Sequence, residues 1–75
     1  MRRAGTVVRL SQGLLVVRSD GEDHADIGAI VVDDALDRVG RVVDVFGPAD
    51  RPYVAVTPDD DVHGPALLGA TLYLR

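Results

Sequence analysis

The stretch "RVVDVFGPADRPYVAVTP", residues 41–58, sets two valine-rich runs on either side of a loop that holds Gly47, Pro48 and Pro52. Runs this short, rich in β-branched residues and punctuated by Gly and Pro, read as strands rather than helices. The rest of the chain repeats the pattern. "GTVVRL" (5–10) and "GLLVVRS" (13–19) flank the small turn "SQG" and read as a hairpin. "DGEDHAD" (20–26) is a polar loop, and "IGAIVVDD" (27–34) holds a third, brief strand. "RVGRVVDVFG" (38–47), "YVAVT" (53–57) and "ATLYLR" (70–75) are the fourth, fifth and sixth. Between the last two, "PALLG" has room for one helical turn. Six short strands with no crossover helix predict an all-β fold, a small closed or nearly closed six-stranded β-barrel spanning residues 1–75 as one domain.

A chain of 75 residues is close to the lower size for unaided folding and hides only about 60–65% of its unfolded surface. It has no cysteine, so disulfides, thiolate metal sites and cysteine nucleophiles are excluded. His24 and His63 are too few for a common zinc ligand set. "DDDVH" (59–63) is the one stretch resembling a cation site, but it lacks EF-hand spacing and reads as a solvated charge run. Ser11 and Ser19 both sit at turns, and the glycines are scattered singly rather than gathered into a phosphate cradle. No catalytic residue, metal or cofactor is expected. "MRRAGTVVRL" lacks the apolar run of a signal peptide, and no segment approaches ~18 apolar residues, so a cytoplasmic location away from membranes is expected.

Eleven Asp and one Glu stand against eight Arg and no Lys, a formal net charge of −4. Such a surface suits a salt-rich, halophilic setting, where the Debye length falls to roughly 3 Å at 1 M; codon bias toward Asp, Arg, Ala, Val and Gly is the alternative. Either way, direct RNA binding is disfavoured, because phosphate affinity rests largely on cationic side chains.

Strict alternation along residues 39–46 puts Val39, Arg41, Val43 and Val45 on one face and Val42, Asp44 and Phe46 on the other. With the first set turned inward, Val43 is a core residue and Val42 lies outside. On the next strand Val54 and Val56 fill the barrel, sending Tyr53 and Ala55 outward. Val42, Phe46, Pro48, Pro52 and Tyr53 then make an exposed apolar cluster of the kind that marks binding surfaces. Pattern alone equally supports Phe46 folding over an open barrel end and Tyr53 packing beneath the loop.

"LDRVGRVVDVFGPADRPYVAVTP" resembles the signature of the Gar subunit of archaeal H/ACA ribonucleoproteins. The matching positions are Gly40, Asp44, Phe46, Gly47, Pro48, Pro52 and Tyr53, and the opening hairpin and "LLGATLYLR" extend the likeness over nearly the whole chain. The resemblance implies a barrel related to the second domain of translation elongation factors. It also implies docking on the catalytic subunit of the pseudouridine synthase, the archaeal counterpart of dyskerin; joined with the alternation pattern, it makes Val42, Asp44, Phe46, Gly47, Pro48, Pro52 and Tyr53 the expected partner-binding residues. Members are non-catalytic, meet guide and substrate RNA only indirectly, and assist substrate capture, placement and release in rRNA modification and ribosome biogenesis by restraining a mobile synthase loop. The Gly/Arg-rich tails of eukaryotic members are missing here. The isolated chain is then expected to be a monomer whose apolar patch can pair weakly with itself.

Part of the chain, "DIGAIVVDDALDRVGRVVDVF", also resembles the PRC barrel of ribosome-maturation proteins, which implies a protein-binding module but leaves "FGP" and "PY" without purpose. An oligonucleotide-binding barrel would need basic grooves and stacking aromatics, and three aromatics without lysine argue against it. A cation-dependent hydrolase built on "DDDVH" ranks last.

Overall fold

The computed structural model describes residues 2–75. The valine-rich runs become β1 (Arg2–Ser11), β2 (Leu14–Arg18), β3 (Ile30–Val32), β4 (Arg38–Phe46), β5 (Tyr53–Pro58) and β6 (Thr71–Leu74). They close into an antiparallel barrel in the order β1-β2-β5-β4-β3-β6, with β6 returning to β1. All six expected strands are present. The "PALLG" segment forms a single 3-10 turn, Gly64–Leu67.

Local chemistry fixes the first hairpin. Ser11 pairs with Leu14, leaving Gln12 and Gly13 as a two-residue turn with φ of 52° and 80°. Positive φ at both central residues matches the right-handed twist of the flanking strands.

The interior is built largely from valine. Val17, Val54, Val56, Val31 and Leu72 are fully buried, and Leu15 and Val42 are 1% exposed. Each such side chain contributes roughly 1.5–3 kcal/mol through burial. Eight strands give a lumen just wide enough to be filled by side chains, and six give a narrower one. Valine fits that space and rings do not. None of the three aromatics belongs to the core cluster.

Two long strands turn the corners of the barrel. β1 pairs with β6 along its first half and with β2 along its second, with register shifts between Arg3 and Gly5 and between Val7 and Arg9. β4 is shared between β3 and β5 in the same way. At the corner, a Cβ on Gly40 would lie 2.0 Å from the carbonyl oxygen of Thr57, so only glycine lets β4 approach β5 there.

β4 departs from strict alternation. Against β3 the register slips around Val39, since Val31 faces Gly40 and Val32 faces Arg38. Against β5 it slips again around Val43, since Val42 faces Val56 and Asp44 faces Ala55. Each bulge adds one residue and re-phases the strand. The inward positions are therefore Val39, Val42 and the half-buried Val45. Val43, expected in the core, is 41% exposed, and Val42, expected outside, is in the core.

The barrel ends are covered by loops. Ala25, from the polar loop after β2, is buried in the core cluster, and the carbonyl of its neighbour His24 accepts a hydrogen bond from Arg2 at 3.2 Å. Val62 and Leu67, around the 3-10 turn, pack against the core beside Val39.

Candidate partner-binding surface

Strand pairing places two rows of side chains across the outside of β1, β2, β5 and β4. One runs Arg9, Val16, Ala55, Asp44; the next runs Thr6, Arg18, Tyr53, Phe46. Neighbours in a row share one face of the sheet and interact directly. Val16 and Ala55 are only 3% and 4% exposed although neither belongs to the core cluster. They form the floor of an open depression of about 310 Å³ whose walls include Phe46, Leu14 and Arg9, with Asp44 at its margin.

The second row is a stack. The rings of Phe46 and Tyr53 have centroids 5.5 Å apart at an interplanar angle of 22°, and the guanidinium carbon of Arg18 lies 5.4 Å from the centre of the Tyr53 ring. The aromatic pair contributes about 0.5–1.5 kcal/mol beyond its burial, and the cation–π contact about 0.5–1 kcal/mol. Phe46 keeps 37% of its surface exposed and Tyr53 is half-buried. Both rings lie outside the barrel.

Gly47 makes room for them. Its φ is 88°, and a Cβ there would stand 2.7 Å from Cδ2 of Tyr53. The loop that follows is fastened at both ends. The Arg51 amide donates to the Pro48 carbonyl at 3.2 Å, closing the turn. The Arg51 Nε donates to the Ser19 carbonyl at 3.0 Å, and the Ser19 amide donates to the Pro52 carbonyl at 3.0 Å. Two prolines and three hydrogen bonds hold one loop shape in the chain by itself, an arrangement that would lower the entropy lost in any binding there.

Of the seven residues expected at this surface, Asp44, Phe46, Gly47 and Tyr53 meet on it and Pro48 is exposed in the adjoining loop. Val42 is not part of it, because the Val43 bulge turns it into the core. Pro52 is also buried, held beneath the loop at Ser19 rather than presented to solvent. The Asp44 carboxylate accepts the Val45 amide at 2.8 Å, which supports the backbone just after the bulge. Arg9, Arg18, Val16 and Arg51 were not singled out in the sequence. Val16 could have been found by alternation between Leu15 and Val17; nothing in the linear pattern marks Arg51.

Elsewhere, Asp59, Asp61 and His63 line a depression with Asp33 and Asp37. Among the described residues, no three His, Asp or Glu side chains gather closely enough to share an ion. Among the described residues, no helix is long and apolar enough to cross a membrane.

No family model matches the chain. It is 31% identical over 78 residues to an uncharacterized protein of Methanothermobacter thermautotrophicus, covering 99% of this chain and 83% of that protein. It is 35% identical over 60 residues to an uncharacterized protein of Methanocaldococcus jannaschii, covering 76% of this chain and 70% of that one.

Proposed function

The chain belongs to one family with these two archaeal proteins, and we propose that it is the Gar-type accessory subunit of an RNA-guided pseudouridylation complex. It is non-catalytic and docks on the catalytic subunit of the pseudouridine synthase. Its barrel is of the kind found in the second domain of translation elongation factors, and it assists capture, placement and release of substrate RNA that the synthase complex holds.

The observation that supports this reading best is the Phe46–Tyr53 stack on the outer wall, supported by Gly47 and the Ser19-tethered loop. What distinguishes Phe46, 37% exposed, from the other exposed apolar side chains is its ring partner: the two stacked rings form one apolar face on the outer wall. Aromatic side chains on rigid backbone are also the usual anchors of protein interfaces. Of the residues that build this feature, Phe46, Gly47, Pro48, Pro52 and Tyr53 carry the "DVFGP…PY" resemblance, while Ser19 and Arg51 support it from outside that pattern. The net charge of −4 and the absence of lysine fit a subunit that meets protein rather than phosphate.

Co-precipitation with an archaeal pseudouridine synthase subunit tests the proposal, performed with and without guide RNA. Complex formation that persists without RNA and is lost in the Phe46→Ala/Tyr53→Ala double variant is expected. Absence of binding under both conditions, or binding that depends on RNA, overturns it.

A further inference from the structure

Charge is sorted over the barrel. Eleven of the twelve acidic residues lie in the connections between strands, whereas six of the eight arginines lie on strands. Asp44 is the one strand carboxylate, and it is engaged by the Val45 amide at 2.8 Å. A chain of net charge −4 thus carries a locally cationic wall among acidic loops.

The two rows of side chains around the Phe46–Tyr53 stack hold Arg9 and Arg18. Among the described residues neither makes an ion pair or a side-chain hydrogen bond, unlike Arg2, Arg3, Arg38 and Arg51. Arg9 is exposed on the wall of the depression floored by Val16 and Ala55. Arg18 is half-buried against Tyr53, its guanidinium carbon 5.4 Å from the ring centre. Its Nε is buried and has no hydrogen-bond partner among the described residues, while its terminal nitrogens stay at the surface. A charge drawn partly out of water without a counter-ion is destabilising, and an opposite charge brought to it recovers the loss. Arg18 is therefore an open half of an ion pair, aimed by the ring on which it lies.

A carboxylate fits the planar end of a guanidinium. Nucleic acid is the other common source of anions. Asp44 at the margin of the depression and Asp50 in the adjoining loop repel a continuous phosphate backbone, whereas a protein offers single carboxylates set between apolar side chains. We infer that this wall docks an acidic amphipathic segment of a partner protein. Apolar side chains of the segment cover the Val16–Ala55 floor and the stacked rings, and its carboxylates meet the end of Arg18 and Arg9. The inference rests on the reading of the stack as a protein-docking site, but not on which protein docks.

The test uses the full chain, isotope-labelled, titrated with a synthetic leucine–glutamate amphipathic helix at about 0.1 M salt, where charges act over ~10 Å. The side-chain Nε–H signals of Arg9 and Arg18 and the amides of Val16, Tyr53 and Ala55 are expected to shift. Arg18→Met keeps the apolar stem and removes the charge, so it should weaken binding about tenfold. Its melting temperature should be equal or raised, because a buried nitrogen without a partner is removed. Arg9→Gln, at an exposed position, should weaken binding by a smaller factor. The inference is overturned by absent shifts, by an equal response to a leucine–lysine helix, or by unchanged binding of Arg18→Met. Tighter binding of a single-stranded oligouridine than of the acidic helix also overturns it, since nucleic acid would then be the occupant. Co-precipitation with the synthase subunit is a separate readout. Its failure beside these shifts removes the synthase as the partner and leaves the inference standing; its success without them overturns the inference alone.

Discussion

Tyr53 stacks on Phe46 from the adjacent strand, ring centres 5.5 Å apart, while Arg18 from the strand on its other side caps the same ring. Three strands thus contribute one continuous platform on the outer wall, and removing either ring leaves the interior untouched. If the proposed function holds, Phe46→Ala or Tyr53→Ala should weaken docking on the pseudouridine synthase subunit by about 2 kcal/mol or more, as for interface anchors. Folding should lose only about 1 kcal/mol, because a surface pair is removed rather than a core side chain. Titration calorimetry and thermal melts of the same variants separate the two effects.

The bulge at Val43 makes a reciprocal pair of variants informative. Val42→Asp places a carboxylate in the core without a partner, and it should cost several kcal/mol, on the order of 3–5, enough to unfold a domain this small. Val43→Asp adds a charge to an exposed position and should stay within about 1 kcal/mol of the parent. Strict alternation demands the reverse order, so denaturant midpoints of the two proteins decide the register.

Two glycines carry different tasks and should fail differently. Gly40→Ala drives a methyl group against the Thr57 carbonyl, which cannot move without parting β4 from β5, and a loss of roughly 3 kcal/mol of stability is expected. Gly47→Ala meets the edge of the Tyr53 ring and a positive φ, so about 1–2 kcal/mol of stability goes. Its larger effect should be on docking, through a displaced ring. Circular-dichroism melts alongside binding titrations distinguish the two outcomes.

Crowding of carboxylates around Asp33–Asp37 and Asp59–Asp61 makes salt a control variable. Raising potassium chloride from dilute to multimolar should increase the melting temperature by several degrees, since about 1 kcal/mol corresponds to roughly 4–8 °C in a domain of this size. Replacing Asp60 and Asp61 with Asn should flatten the rise. A melting temperature indifferent to salt would leave codon bias as the account of the acidic composition. The exposed pairs Arg3–Asp20 and Arg38–Asp59 do little to offset the repulsion.

All six strands and the 3-10 turn were legible from short β-branched runs broken by Gly and Pro, because those signals are local. The facing of β4 was not. "VGRVVDV" carries valines at spacings that satisfy both a two-residue and a three-residue repeat, and only pairing with β3 and β5 decides between them. Tyr53 and Ala55 were read correctly as outward because β5 pairs with β2 without a register shift and the extra residue in its pairing with β4 sits in β4. The burial of Ala25 escaped notice, since a single alanine in a polar loop carries no periodic signal. Arg51 reaches Ser19 across 32 residues, a contact no linear window contains.

Ring closure from β6 back to β1 leaves every strand with a neighbour on either side. The main-chain margins left over are the short stretches of β1 and β4 that pair on one side only, such as Arg9–Ser11 and Asp44–Phe46, and strand addition is confined to them. Elsewhere on the wall, recognition is left to side chains. Partner choice can then change through a few surface substitutions while the backbone scaffold stays the same.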